Sequence, residues 1–272
     1  MKHLTMTVWV ALAAFSAWGS ANDELMHVTV RGGGVDVTDW VVQTAIDRTT
    51  ASVRELDPAG EPGPPLPSQL DDHVLAWQLP GILRAGQARK FLIRFDKSSK
   101  TSKTENPIKV SASDSSISIT QNDRVIKHLK SNGGMPVQFV IAEHVANVSY
   151  HDKIYDGTNV YYAATHSAQE MKLLASGPLR AVVESKSAFT SGDADNCTAR
   201  ATYRFTYLAG QPIIRVKADF RQDLAQSWQS LHPIEIQTGN APVTHFACDK
   251  KIGKLEQAGI FHGGQQYAAV YG

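Results

Sequence analysis

Residues 202–221, TYRFTYLAGQPIIRVKADFR, contain two runs of strict apolar–polar alternation joined by a Gly-Pro loop. A period of two is the mark of a strand with one buried and one wet face. In the first run Tyr203, Phe205 and Tyr207 share one side, opposite Arg204 and Thr206, with Arg200 and Thr202 extending the polar side. In the second, Ile214, Val216, Ala218 and Phe220 alternate with Arg215, Lys217, Asp219 and Arg221. The pattern predicts a β-hairpin. The strand around 179–186 adds Arg180, on the side away from Leu179, Ala181 and Val183. Paired side by side, these strands gather Arg180, Arg200, Arg204, Arg215, Lys217 and Arg221 on one face, offset by Glu184 and Asp219. Such a face is either an ordinary solvated sheet surface or a groove for a polyanionic chain, because guanidinium forks match carboxylates bidentately.

The same alternation recurs along the chain, and helical periodicity is scarce. His27-Val28-Thr29-Val30, the run from Asp39 to Asp47, LAWQL (75–79), ARKFLIRFD (88–96), ISITQNDRVIKHL (117–129), PVQFVIAEHVANVSY (136–150), KLLASGPLRAVVESKSAF (172–189) and HPIEIQTG (232–239) all read as strands or strand pairs. DPAGEPGPPLP (57–67) reads as a loop, since its prolines exclude helix and central strand. The fold class is therefore all-β. KSSKTSKTEN (97–106) is polar and lysine-dotted, which predicts an exposed linker. It divides the chain into a small β-sandwich (22–105) and a larger antiparallel β-sandwich (106–272), the latter expected as the start of a supersandwich.

The chain has 272 residues, a net charge of +1 and 19% charged residues. That balance is globular and unlike the basic excess of nucleic-acid proteins. MKH, the short apolar run LTMTVWVALAAFSAW and the small residues Gly19-Ser20-Ala21 make a secretory signal, with cleavage expected after Ala21. The mature chain lacks a run of roughly 20 apolar residues, so no membrane span is expected, and the protein is read as secreted or periplasmic. Export makes a Cys197–Cys248 disulfide chemically accessible, with two buried free thiols as the alternative. The chain stops in the strand-like GIFHGGQQYAAVYG, from which a continuation beyond Gly272 is expected.

Three segments carry a resemblance. PLPSQLDD (65–72) and HVLAWQLPGILRAGQARKFLIRFD (73–96) hold Pro67, Gln69, Asp71 and then Leu83, Ala85, Gly86, Arg89, with Phe91 displaced by one residue. They resemble the N-terminal β-sandwich that precedes catalytic domains in secreted bacterial polysaccharide-degrading proteins. SGPLRAVVESKSAF (176–189) and the 202–221 hairpin resemble the β-rich domains of exo-rhamnogalacturonan lyase-like proteins. The family's α-helical catalytic barrel has no counterpart in these residues. The resemblance implies architecture and substrate class: an acidic polysaccharide as partner, met by the β region of a lyase.

The segment 143–166 is richest in acid–base chemistry, with His144, Tyr150, His151, Tyr155, Tyr161, Tyr162 and His166. β-Elimination from a uronate needs a cation on the carboxylate, a base for the adjacent proton and an acid for the leaving oxygen. Arginine suits the first role, tyrosine and histidine the others. Tyr150, His151 and Tyr155 are the catalytic candidates, against the alternative of ordinary strand packing. Arg180, Arg204, Arg215 and Lys217 are the candidates for holding carboxylates. Trp228, set among polar residues in QSWQS, is the candidate for stacking on a sugar, and Trp77 is expected in the core. Asp152, Asp156 and Asn159 surround Gly157 with calcium-type oxygen ligands, but at no EF-hand spacing. They read as an Asx-rich turn, so no metal or cofactor is expected. The favoured reading is a lyase-like protein or its accessory β region; the alternative is a non-catalytic glycan-binding or scaffold module.

Overall fold

The computed structural model describes residues 25–95, 104, 107–141, 144–150, 152–163, 168, 170–191, 199–211, 213–225, 227–232, 236–237, 245–248, 251–254 and 268–271. Side chains at 141, 144, 146, 150 and beyond 232 lie outside this description. The expected signal segment, His151, Cys197, the Cys248 side chain and nearly all of the expected 97–106 linker therefore fall outside it; Thr104, expected in that exposed linker, is buried. The protein is all-β, built from antiparallel sheets, with one short 3₁₀ turn among the described residues, at Lys130–Asn132. Among the described residues no helix is long and apolar enough to cross a membrane.

The first unit has a four-stranded sheet in the order Leu25–Arg31, Ala88–Arg94, Ser52–Leu56, Pro62–Pro65, and a three-stranded sheet in the order Val41–Ala45, Val74–Gln78, Ser68–Asp71. Most of their buried apolar residues form one cluster around Trp77, Leu75, Phe91 and Ile93, these four fully shielded from solvent. Trp77 is a core residue, as its apolar neighbours require. The proline-rich stretch differs from the loop reading: Pro62–Pro65 is an edge strand, paired to Ser52–Leu56 across a bulge. An edge is where proline's missing N–H costs nothing. Arg89 of the resemblance motif is structural. It grips the Glu55 carboxylate with its guanidinium and donates to the Pro80 carbonyl at 2.8 Å.

The second unit opposes two sheets. One runs Lys109–Ala112, Ser116–Gln121, Arg124–Leu129, Pro136–Ile141, His144–Asn147 in chain order. The other runs Glu170–Ser176, Arg180–Ala188, Ala199–Leu208, Ile214–Gln222. The second hairpin strand pairs with the first in the register the alternation predicts, Tyr203 facing Ala218 and Phe205 facing Val216, but at this sheet edge Val216, expected on the buried side, is 38% exposed. Ile117 and Ile119 from one sheet meet Ala181, Val183, Tyr203 and Phe205 from the other in a single core. Each fully buried aromatic or aliphatic side chain there contributes about 1.5–3 kcal/mol. Gly134 lets the sheets close. Its φ is +72°, and a Cβ there would stand 2.4 Å from Ser185 Cβ.

The tight turn joining Ser68–Asp71 to Val74–Gln78 consists of Asp72 and His73, at φ +45° and +57°. Left-handed backbone at both central positions is the type I′ pattern, which favours Asn-Gly or Asp-Gly. Histidine there is strained, so His73→Gly is expected to raise stability by about 0.5–1 kcal/mol, read as a shift in the urea midpoint.

Candidate functional site

The outer face of the 170–222 sheet is the candidate site. Directly opposed residues of antiparallel strands share a face. Lys172, Glu184, Arg204 and Lys217 therefore form one row across the four strands, and Glu170, Lys186, Thr202 and Asp219 the next. Toward the opposite end from that second row, Thr206 faces Arg215; beyond the Glu170 row, Arg200 faces Arg221. Arg204, Arg215 and Lys217 are thus neighbours that solvent reaches, although the surrounding chain desolvates the Arg215 guanidinium and lowers it from its usual range.

The face is largely paired with itself. Glu184 is only 4% exposed and accepts from Arg204 Nε at 2.6 Å, with Lys172 Nζ 3.3 Å away. Burial pushes the Glu184 carboxyl up, but the hydrogen bonds and charges of Arg204 and Lys172 outweigh it and hold the group below its usual range. The reciprocal hydrogen bond from Glu184 raises Arg204. Glu170 bridges Lys186 at 2.7 Å and Lys172 at 3.0 Å, and these two lysines hold its carboxyl down. Lys217 meets Asp219 at 3.1 Å; Arg200 and Arg221 share Asp223 at 2.9 and 3.0 Å. Among the described residues of these strands and Asp223, seven cations (Lys172, Lys186, Arg200, Arg204, Arg215, Lys217, Arg221) thus face four carboxylates (Glu170, Glu184, Asp219, Asp223), an excess of three positive charges that the Asp72 carboxylate, acting on Arg204, reduces. Arg215 has no carboxylate or hydrogen-bond partner among the described residues. The sequence reading missed Glu170 and Asp223 as offsets. Glu170 lies two residues before Lys172 on the same alternation, which is the signal that would have found it.

Arg180 is not on this open surface. It shares the face by register but is 7% exposed, covered by the first unit and paired with Asp71. That carries it out of the binding row expected from alternation. Trp228 is half-buried and packs against the second core, with its indole nitrogen shielded from solvent.

Of the three acid–base candidates, His151 lies outside the described residues, and so does the Tyr150 side chain; the Tyr150 backbone pairs with Ile236. Tyr155 is half-buried, and its hydroxyl donates to the Gly157 carbonyl at 2.7 Å. The 156–159 segment is an Asx turn. Asp156 accepts from the Asn159 and Thr158 N–H groups at 2.7 and 2.9 Å and from the Tyr161 hydroxyl at 2.9 Å. The Asn159 and Thr158 N–H groups, followed by Tyr161, bring its carboxyl down to about 2. Asp152 points elsewhere: it is fully buried and accepts from the Tyr203 hydroxyl. Burial first, and then the Asp152 charge, push the Tyr203 phenol far up. The oxygens of the 152–159 loop therefore do not converge on one point. Among the described residues, no three His, Cys, Asp or Glu side chains group as a metal site.

Sequence alternation also missed His128, which lies on the Ile126 side of its strand and is fully buried. Its ring contacts the Gly134 carbonyl through Nδ1 at 2.8 Å and the Tyr207 hydroxyl through Nε2 at 2.6 Å. No protein-family model and no curated protein matches the chain.

Proposed function

We propose that the chain is an exported carbohydrate-active protein that works on an acidic polysaccharide, as a lyase or as the accessory β region of one. The observation that carries this reading is the hairpin register: Arg204 directly opposes Lys217, and Arg215 stands one row along with no partner among the described residues. Arg204 uses its Nε on Glu184, which leaves its terminal nitrogens for a carboxylate in the fork geometry guanidinium prefers. Three adjacent cations on a face of net positive charge suit a flexible polymer with repeated carboxylates better than a single small anion.

A second reading, binding without chemistry, draws support from Tyr155 and Tyr203. One hydroxyl is committed to its own turn and the other is sealed in the core against Asp152. Incubation with a uronate polymer separates the two. A lyase generates an unsaturated product that absorbs in the ultraviolet, whereas a binding module retards the polymer on a native gel and releases nothing. In either case Arg204→Ala with Arg215→Ala is expected to weaken binding at least about tenfold, since charge-assisted hydrogen bonds contribute about 1.5–3 kcal/mol each. Wild-type retention is expected to fall as salt rises. Retention unchanged by the double substitution removes this face as the binding surface.

A further inference from the structure

Two motifs far apart in the chain meet. Gln69 Oε1 accepts from the backbone N–H groups of Leu179 and Arg180, both at 2.9 Å, and Gln69 Nε2 donates to the Arg180 carbonyl at 2.8 Å. The side-chain amide thus takes the place of a neighbouring strand at the start of Arg180–Ala188. Asp71, two residues on, accepts from Gln69 Nε2 and pairs with the buried Arg180 guanidinium. Gly177 is required for the approach: a Cβ there would lie 2.1–2.4 Å from the Gln69 carboxamide atoms. On the adjoining turn, Gln211 Nε2 donates to the Val41 carbonyl at 2.6 Å. Val41 and Ala76 belong to the first unit by chain position, yet they are buried in the second unit's core beside Leu179 and Ala209.

We infer that Gln69 and Asp71, docked onto Gly177–Arg180, form an interlock that makes the two β units open as one cooperative body, and that Arg180 serves this docking. Units joined only by a linker move independently by default, unless the contact between them is extensive and apolar. Here an apolar seam and a set of mutually hydrogen-bonded buried polar groups act together, with the Arg180 Nε left without a hydrogen-bond partner among the described residues. Unmaking the contact strands the Leu179 and Arg180 N–H groups and the Asp71–Arg180 pair, so partial opening costs more than its area alone suggests. Local opening of the first unit is thereby tied to global unfolding.

Hydrogen exchange of the full chain across a urea series tests this. The readouts are the amides of Val74–Gln78 in the first core and Ala199–Leu208 in the second. In the wild type the two sets are expected to open at the same urea concentration. Gln69→Ala removes the amide that reads the backbone, and Gly177→Ala drives a methyl into it without changing any charge. Each is expected to separate the openings, with the 74–78 amides exchanging at least about tenfold faster than before while the 199–208 amides keep their protection. Separate openings in the wild type overturn the interlock, and so do coincident openings that persist in both variants. Neither result depends on polysaccharide binding, so failure here is distinguishable from failure of the proposed function.

Discussion

Arg180→Met is expected to lower stability by about 3 kcal/mol, while the double variant Asp71→Leu/Arg180→Met recovers most of that loss. The pair lies between the two units, with the arginine side chain 8% and the aspartate 19% exposed. Removing the guanidinium alone leaves a carboxylate that water reaches poorly. Burial already pushes Asp71 up, against the pull of Arg180 and Gln69. Replacing both partners by apolar groups of similar bulk removes the desolvation cost along with the attraction. Urea midpoints of the wild type, the single variant and the double variant check the ordering. A double variant as weak as the single one would show that the pair contributes net stability beyond docking specificity.

Acid is expected to weaken the fold through His128, by about 3 kcal/mol between about pH 6.5 and pH 4. The Gly134 carbonyl can only accept, so Nδ1 carries the proton and Nε2 accepts from the Tyr207 hydroxyl. The ring is neutral and fills both contacts. Its edge meets Phe205 with centroids 5.0 Å apart. Burial depresses the histidine to about 4, and the Gly134 hydrogen bond pulls weakly the other way. Above about pH 6.5 the folded and unfolded forms are both neutral, and the stability is fully present. As the pH falls from there the unfolded chain takes up a proton that the folded chain refuses, so stability drops until the folded ring itself protonates near pH 4. His128→Gln can still donate to one partner and accept from the other, and it does not titrate. Its urea midpoint is expected to change less than the wild type's across this window. Equal slopes would assign the acid sensitivity to carboxylates instead.

Much of the fold was legible because β-structure writes its faces into a period of two. Tyr203, Phe205 and Tyr207 point to the core and Arg204 to solvent, and the Gly-Pro punctuation at 177–178 separates two strands as read. The proline-rich 62–65 strand was less legible, since only its place at a sheet edge makes proline acceptable there. The candidate site was half legible. Alternation identified which cations share a face and two of the carboxylates that offset them, Glu184 and Asp219, but not Glu170 and Asp223, which lie outside the hairpin.

Most strands, most of their faces and the sharing of one surface by Arg204, Arg215 and Lys217 could be read from the chain, because each follows from neighbours two residues away. Tertiary structure alone decided that Arg180 is covered while Arg204 stays open, although both occupy the same side of the sheet. It also decided that His128 is sealed between two sheets. The physical reason is that alternation specifies a direction from the backbone, whereas burial depends on what another segment lays over that direction. For Arg180 that segment is Gln69 to Asp71, about a hundred residues earlier in the chain, and nothing local to Arg180 encodes its arrival.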